Sequence, residues 1–302
     1  AHKKGYRVAE APIVMNFGEK VGCLSYKNVK QVMIDTLAVF YRLRVLRYYD
    51  SVEVAPLPEK PLFVSIVIAC PAPSDYLTEC LTALGTQTYP HFEVIVLPDA
   101  PAALQAQNYA LRVIPTGKTR PAEKRNLGIR EAHGDIVAFL DDDAYPVANW
   151  LEHAVKYFTL PDVGGVGGPG VTPPNDPFMA QMSGRVYENI CVSGNFRYRY
   201  TGDRVRSSID DYPSCNLLVR TDILRAINGY NTRFWPGEDT ILCSDIVYGQ
   251  KKRIVYDPWA LVYHHRRPLF GPHLRQLGRY ALHRGHFAKR FPKTSFKFSY
   301  LL

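Results

Sequence analysis

Phe139-Leu140-Asp141-Asp142-Asp143 closes an apolar run that starts at Ile136, with Gly134-Asp135 before it and Pro146 after it. The run Ile136-Val137-Ala138-Phe139-Leu140 is short and β-rich, and it reads as a buried parallel strand. Open α/β sheets bind ligands beyond the carboxyl ends of their strands, which is where the three acids fall. Adjacent carboxylates repel one another. A hard divalent cation, Mg²⁺ or Mn²⁺, would hold them together and would also bridge phosphates. An acidic turn with an Asp helix cap accounts for the same residues equally well.

The flanking sequence extends this strand into a fold. Phe63-Val64-Ser65-Ile66-Val67-Ile68-Ala69 reads as a first buried strand, with Cys70-Pro71-Ala72-Pro73 as its loop. Residues 76–86 have helical spacing through Tyr76, Leu77, Cys80, Leu81 and Leu84. Phe92-Glu93-Val94-Ile95-Val96-Leu97 is a second strand, ending at Asp99, and residues 122–132 form a helix that leads into the acidic strand. Strand–helix–strand alternation predicts a mostly parallel, nucleotide-binding sheet flanked by helices. Further on, Gly164-Gly165-Val166-Gly167-Gly168-Pro169-Gly170 lacks the Lys-Ser/Thr of a phosphate loop and reads as a strand with close backbone approach. Residues 176–212 are polar and aromatic, with Arg197, Arg199, Arg204 and Arg206 interleaved. Nucleic-acid binding could use such a run, but no recognised module is present and no nucleic-acid partner is expected.

The ends of the chain differ from this centre. Residues 6–14 fit one edge strand. Residues 29–49 are helical in pattern and basic on part of their surface, which suits an anionic membrane. A helix packed on the main domain or on a second subunit of a homo-oligomer fits equally. Residues 55–61 read as a linker. Three segments result: an N-terminal arm (1–57), a central α/β domain (58–267) and a basic tail (268–302).

The formal net charge is +9 over 302 residues, and nine Lys or Arg with no acid lie from Pro258 onward. The rest of the chain therefore balances to zero, and the whole excess lies from Pro258 onward, seven of the nine in the tail. A composition 46% hydrophobic and 12% aromatic excludes a disordered chain. The six cysteines are scattered with no C-x-x-C pair, which argues against a zinc site and for a reduced, cytosolic compartment. No signal peptide and no bilayer-length apolar run is present. Phe298-Ser299-Tyr300-Leu301-Leu302, an apolar rise after a basic stretch, reads as the lead-in to a membrane helix.

From Leu62 to Arg267 the chain resembles the family-2 glycosyltransferases of the GT-A fold. The matching pieces are Val64-Ser65-Ile66-Val67-Ile68, then Gln87-Thr88-Tyr89-Pro90, then Lys124-Arg125-Asn126-Leu127-Gly128 and the Asp141-Asp142-Asp143 strand. They continue with Cys215-Asn216-Leu217-Leu218-Val219-Arg220, Gly229-Tyr230-Asn231, Trp235-Pro236-Gly237-Glu238-Asp239, Asp257-Pro258 and Val262-Tyr263-His264. Residues 5–13 look like the end of a dolichol-phosphate-sugar synthase-like domain, which implies an upstream extension. Gln276-Leu277-Gly278-Arg279-Tyr280 looks like the Q-x-x-R-aromatic segment of membrane-associated exopolysaccharide glycosyltransferases.

The resemblance implies an inverting, metal-dependent glycosyltransferase. It would move a sugar from a nucleotide-diphosphate donor, UDP favoured, to a hydroxyl of a glycan or lipid-linked acceptor at the cytoplasmic face of a membrane. It assigns Asp143 and His264 to Mn²⁺ or Mg²⁺, and Asp142 to the ribose side, with Asp141 beside them. Ala69, Pro71 and Asp99 fall on the nucleotide, Gln276, Arg279 and Tyr280 near the diphosphate, Asp239 on the general base and Glu238 beside it. Lys118, Arg120, Lys124 and Arg125 offer cations for phosphate, with Arg120 and Arg125 preferred, against a solvated helix face. Asn126 reads as ordering a loop. Asp239 also reads as the N-cap of a helix over 240–248. Two departures, Cys70-Pro71-Ala72-Pro73 and Pro98, fall where the base would touch. They leave the base open and motivate an alternative, a non-catalytic scaffold that binds sugar nucleotide or glycan.

Overall fold

The computed structural model describes residues 26–41, 60–105, 107–234 and 236–290. The chain divides into two units, Ala1–Ala55 and Pro56–Leu302. Of the first, one helix is described, α1 (Tyr26–Phe40), which exposes Val32, Met33, Leu37 and Phe40. The expected strand over 6–14, the rest of the expected helix to 49 and residues 298–302 lie outside the described residues.

In the second unit the apolar runs become strands because they can bury both faces. Along β1 (Val64–Ala69), Val64, Ile66 and Ile68 enter one core, while Val67 enters another on the opposite side. The first core lies under α2 (Asp75–Leu84), and the second under α3 (Pro121–Glu131). β2 (Phe92–Leu97) and β4 (Ile136–Asp141) flank β1 in parallel, and β3 (Ala110–Val113) adds an edge beside β2.

The remaining elements follow in chain order. They are β5 (Ala144–Pro146), α4 (Trp150–Val155), β6 (Val163–Gly167), β7 (Gly170–Val171), α5 (Phe178–Glu188), α6 (Ile190–Ser193), α7 (Tyr198–Thr201) and β8 (Arg206–Ile209). After them come β9 (Asn216–Arg220), α8 (Thr221–Ala226), α9 (Glu238–Ser244), β10 (Arg253–Tyr256), β11 (Val262–His264) and α10 (Gly271–Arg290). The large sheet has eight strands in the order β3-β2-β1-β4-β9-β6-β10-β8. It is mixed: β9 runs antiparallel to both β4 and β6, and β8 antiparallel to β10. A three-stranded sheet, β5-β11-β7, stands at its carboxyl side.

The glycine-rich run forms β6 and β7. Between them a Cβ on Gly168 would lie 1.7 Å from the Ala260 carbonyl oxygen, so only glycine allows this approach. Buried Asn216 ties the two sheets together: it accepts from Trp150 Nε1 at 2.8 Å and donates to the Ala260 carbonyl at 2.8 Å. Two of the interleaved arginines, Arg199 and Arg206, pack inward, while Arg197 and Arg204 stay exposed. Arg199 pairs with Asp211 and lies 4.4 Å from the Phe196 ring, and Arg206 lies 4.1 Å from the Tyr198 ring. Among the described residues no helix is long and apolar enough to cross a membrane.

Candidate active site

The carboxyl ends of β1, β2 and β4 form the floor of the site. β1 Ala69 pairs with Leu97 on one side and Asp141 on the other, so the ends of all three strands are level. The loops beyond them are tied together: Asp99 N–H donates to the Pro71 carbonyl at 3.1 Å. Lys124, on α3 and buried, fastens the same edge. Its Nζ donates to the Cys70 carbonyl at 2.6 Å, the Leu97 carbonyl at 3.2 Å and the Asp99 carboxylate. Arg120 is the exposed N-cap residue of α3, where Pro121 follows at the first helical position and Glu123 Oε2 accepts the Arg120 N–H at 3.0 Å.

Asp141 ends β4 and accepts from Arg125 Nη2 at 2.8 Å. Asp142 and Asp143 form the turn into β5. Because β11 pairs with β5, His264 lies opposite Ala144, and its Nε2 is 3.1 Å from Asp143 Oδ1. The next residue locks the turn, with His265 N–H donating to the Asp143 carbonyl at 3.0 Å. Burial, reinforced by Asp143 and Asp141, pushes the Asp142 carboxyl up to about 7. Burial also acts to raise Asp143, but the neighbouring His264 holds it below its ordinary value. Burial opposes the charge on His264, yet Asp143 pushes it up to about 10. Asp141, Asp143 and His264 each offer a ligand atom, all within 4.8 Å of one another. Two carboxylates and an imidazole suit Mn²⁺ well and Mg²⁺ acceptably, so these residues fit a divalent cation.

Across the site, Gly237 caps α9 with φ +117, and a Cβ there would meet the Phe287 ring at 2.5 Å. The helix therefore starts at Glu238, and the expectation that Asp239 caps a helix from 240 is corrected. Asp239 lies inside the first turn, and its carboxylate accepts from Ser214 Oγ, which also meets Tyr230 Oη at 2.6 Å. Glu238 lies 3.6 Å from Arg125 Nη1. Arg125 thus sits between Asp141 and Glu238, with its guanidinium 5.6 Å from the Tyr230 ring. Burial, then Asp239, push Glu238 up to about 7 against the pull of Arg125. Burial also raises Asp239. Asn126 exchanges two hydrogen bonds with the Tyr230 backbone, at 2.8 and 2.7 Å, and so orders that segment.

Helix α10 reaches this side of the site through Phe287. Gln276 Nε2 donates to Tyr280 Oη at 3.2 Å. Burial raises the Tyr280 phenol above its ordinary value, and the charges of Asp239 and Asp141 add to this. Arg279 is exposed.

The fold therefore gathers Asp141, Asp143 and His264 into one cluster, and Arg125, Glu238 and Asp239 into another that shares Asp141. Ala69, Pro71, Asp99 and Lys124 lie along the strand-end rim, while Arg120 and Arg279 point to solvent. Three residues at the site carry no assignment from sequence. Ser214 and Tyr230 support Asp239, and Arg266 Nη1 lies 3.2 Å from His264 Nδ1. All three sit inside or beside quoted stretches, but nothing along the chain pairs Ser214 with a carboxylate 25 residues away. Trp235 lies outside the described residues.

Residues 65–227 match the sequence profile of "Glycosyl transferase family 2". The Pre-mycofactocin glycosyltransferase of Mycobacterium tuberculosis (strain CDC 1551 / Oshkosh) is 30% identical over 149 residues, covering 49% of this chain and 30% of that protein. Glycosyltransferase AglE of Haloferax volcanii is 28% identical over 192 residues, 59% of each chain. The chain thus spans less than two thirds of either relative. In fold it is similar to the mannosyltransferase PcManGT from Pyrobaculum calidifontis in complex with GDP-Man and Mn²⁺, with TM-score 0.58 and 20% identity over 87% of this chain and 74% of that one. It is also similar to GalNAc-T7 with UDP, GalNAc and Mn²⁺, with TM-score 0.53 and 15% identity over 70% of this chain and 45% of that one. With its profile match covering more than half of the 302 residues, the chain belongs to glycosyl transferase family 2.

Proposed function

We propose that this chain is an inverting, metal-dependent glycosyltransferase that uses a nucleotide-diphosphate sugar, UDP favoured, and glycosylates a hydroxyl of a glycan or lipid-linked acceptor. The observation that carries the reading is the placement of two clusters around Asp141. One is a carboxylate–imidazole set that fits Mn²⁺ or Mg²⁺. The other is the Glu238–Asp239 pair bridged back to Asp141 by Arg125.

The acceptor hydroxyl attacks the sugar's anomeric carbon from the side opposite the diphosphate. As the new glycosidic bond forms, the bond from that carbon to the phosphate oxygen breaks. The nucleoside diphosphate leaves with the electron pair, and the anomeric centre inverts. Asp239 takes the hydroxyl proton. Its raised pKa makes it a stronger base than an ordinary carboxylate. Ser214 and Tyr230 hold it in place, and Arg125 fixes Glu238 beside it. Asp141, Asp143 and His264 would hold a divalent cation, which would supply positive charge against the leaving diphosphate. The strand-end rim of Ala69, Pro71 and Asp99, set by Lys124, would receive the nucleoside, with Asp142 toward the ribose. Gln276, Arg279 and Tyr280 would close from α10.

A membrane-facing location at the cytoplasmic side has its own support. Phe270, Leu274 and Leu282 are exposed on a segment that carries no acid, and the Leu269 N–H bond to the Met179 carbonyl brings exposed Phe178 and Met179 alongside. Apolar side chains among lysines and arginines suit an anionic bilayer surface.

The test is turnover of UDP- and GDP-sugars on a panel of glycan and lipid-linked acceptors. Asp239→Asn is expected to lower kcat by about a thousandfold with an unchanged melting temperature. Normal turnover by that variant overturns Asp239 as the base.

A further inference from the structure

The transferase chemistry leaves one side of the small sheet unused. Along β11, Val262 and His264 turn to one side and Tyr263 to the other. On the Tyr263 side the structure has a groove of about 480 Å³, lined by Trp259, Asn149, Thr201, Asp203 and Arg204 among others. That volume lies within the range of small-ligand sites, roughly 300–1,000 Å³.

Trp259 is 67% exposed, yet the turn that carries it is braced. Its N–H donates to Asp257 Oδ1 at 2.8 Å. Asp257 is fully buried and is held by Tyr157 Oη and Lys156 Nζ, each at 2.9 Å. The loop opposite is ordered as well: Asp203 accepts from the Arg204 N–H at 2.6 Å and from Arg206 Nη2 at 2.8 Å. Tyr263 is fixed by stacking on Tyr145, with ring centroids 5.1 Å apart. A rigid turn thus presents a large indole to water beside a second aromatic ring, with an amide, a hydroxyl, a carboxylate and a guanidinium around them.

Those groups discriminate among ligands. A wholly apolar ligand would desolvate Asn149, Asp203 and Arg204 without replacing their hydrogen bonds. An anion would meet the Asp203 carboxylate. A pyranose ring satisfies both demands, since its C–H face stacks on an aromatic ring while its hydroxyls donate and accept at the edge. We propose that this groove binds a short stretch of a glycan chain, at a site separate from the donor pocket and on the far side of the small sheet from His264. The choice of carbohydrate rests on the transferase reading. The groove would anchor a glycan acceptor while its end is extended at Asp239.

The test is calorimetric titration of the whole chain with cellohexaose, chitohexaose and mannohexaose. UDP and GDP, each with Mn²⁺, are titrated in parallel. At least one hexasaccharide is expected to bind with Kd of about 1 mM or tighter, and Trp259→Ala to weaken it by about tenfold or more with nucleotide binding unchanged. Arg204→Ala, an exposed substitution, is expected to weaken the same hexasaccharide and covers the case in which Trp259→Ala fails to fold. No binding of any hexasaccharide, or wild-type affinity in the variants, overturns the proposal. Nucleotide binding without hexasaccharide binding removes the groove alone, while the reverse pattern removes the donor reading alone.

Discussion

Lys124→Met separates two roles for a cation beside the proposed donor pocket. The ammonium has three N–H donors, and all three are engaged, by the Cys70 carbonyl, the Leu97 carbonyl and the Asp99 carboxylate. Methionine fills similar volume but donates nothing. The Leu97 carbonyl keeps the Cys70 N–H at 3.3 Å, and Asp99, 30% exposed, is open to water. The Cys70 carbonyl loses its charged donor. An orphaned buried acceptor costs about 1–3 kcal/mol, and an uncompensated, part-buried carboxylate adds roughly 1 kcal/mol, for a total near 3 kcal/mol. In a unit of this size that corresponds to a fall of about 6–12 °C in melting temperature. The loops after β1 and β2 loosen together, so nucleotide affinity should fall by about tenfold or more. Differential scanning calorimetry and nucleotide titration of the same sample read both effects. Arg120→Met is the control, since Arg120 is exposed and its loss should leave the melting temperature within about 1 °C. A Lys124→Met chain that melts with the wild type but binds nucleotide poorly would refute the clamp and return Lys124 to phosphate binding.

Glu238 gives a prediction in pH. Burial and Asp239 raise it from 4.5 to about 7, so between those values the folded chain keeps a proton that the unfolded chain has lost. The ionised group therefore costs stability above about pH 7, and the cost fades as pH falls through that window. Glu238→Gln should raise the melting temperature more at about pH 8 than at about pH 4, and an equal effect at both would contradict the assignment. Ser214→Ala should lower kcat by about tenfold or more with little change in donor KM, because the buried Asp239 carboxylate loses a donor worth about 1–3 kcal/mol. Steady-state kinetics within about twofold of the wild type would show that Ser214 is not needed to hold Asp239.

Much of the fold was legible along the chain because burial on two faces leaves apolar runs. β1, β2 and β4 announce themselves this way, and the spacing of Leu77, Cys80, Leu81 and Leu84 marks α2. β3 and β8 were not legible. Both are short edge strands with partly exposed residues, and a solvated edge carries no apolar run. The antiparallel insertion of β9 between β4 and β6 was also hidden, since strand order is a matter of distant pairing. The acidic triplet stood out as charge beside apolar sequence, while Glu238-Asp239 was marked by the family resemblance. What sequence could not distribute was the cations. Lys124 and Arg125 are neighbours on one helix with the same formal charge. Yet one ties two loops together, while the other bridges two carboxylates that lie 97 residues apart by number. Only the register of β4 against β1, and the return of α9 over Arg125, separate those roles.

The most direct test of the account is titration of UDP and of GDP, each with Mn²⁺, with Mg²⁺ and with EDTA, into the wild type and into Asp143→Asn. One nucleotide is expected to bind strongly only when a cation is present, and Asp143→Asn is expected to lose this cation-dependent increment while still folding. Equal affinity in EDTA, or a full cation effect in Asp143→Asn, would contradict the assignment of Asp141, Asp143 and His264 to a metal-assisted diphosphate site.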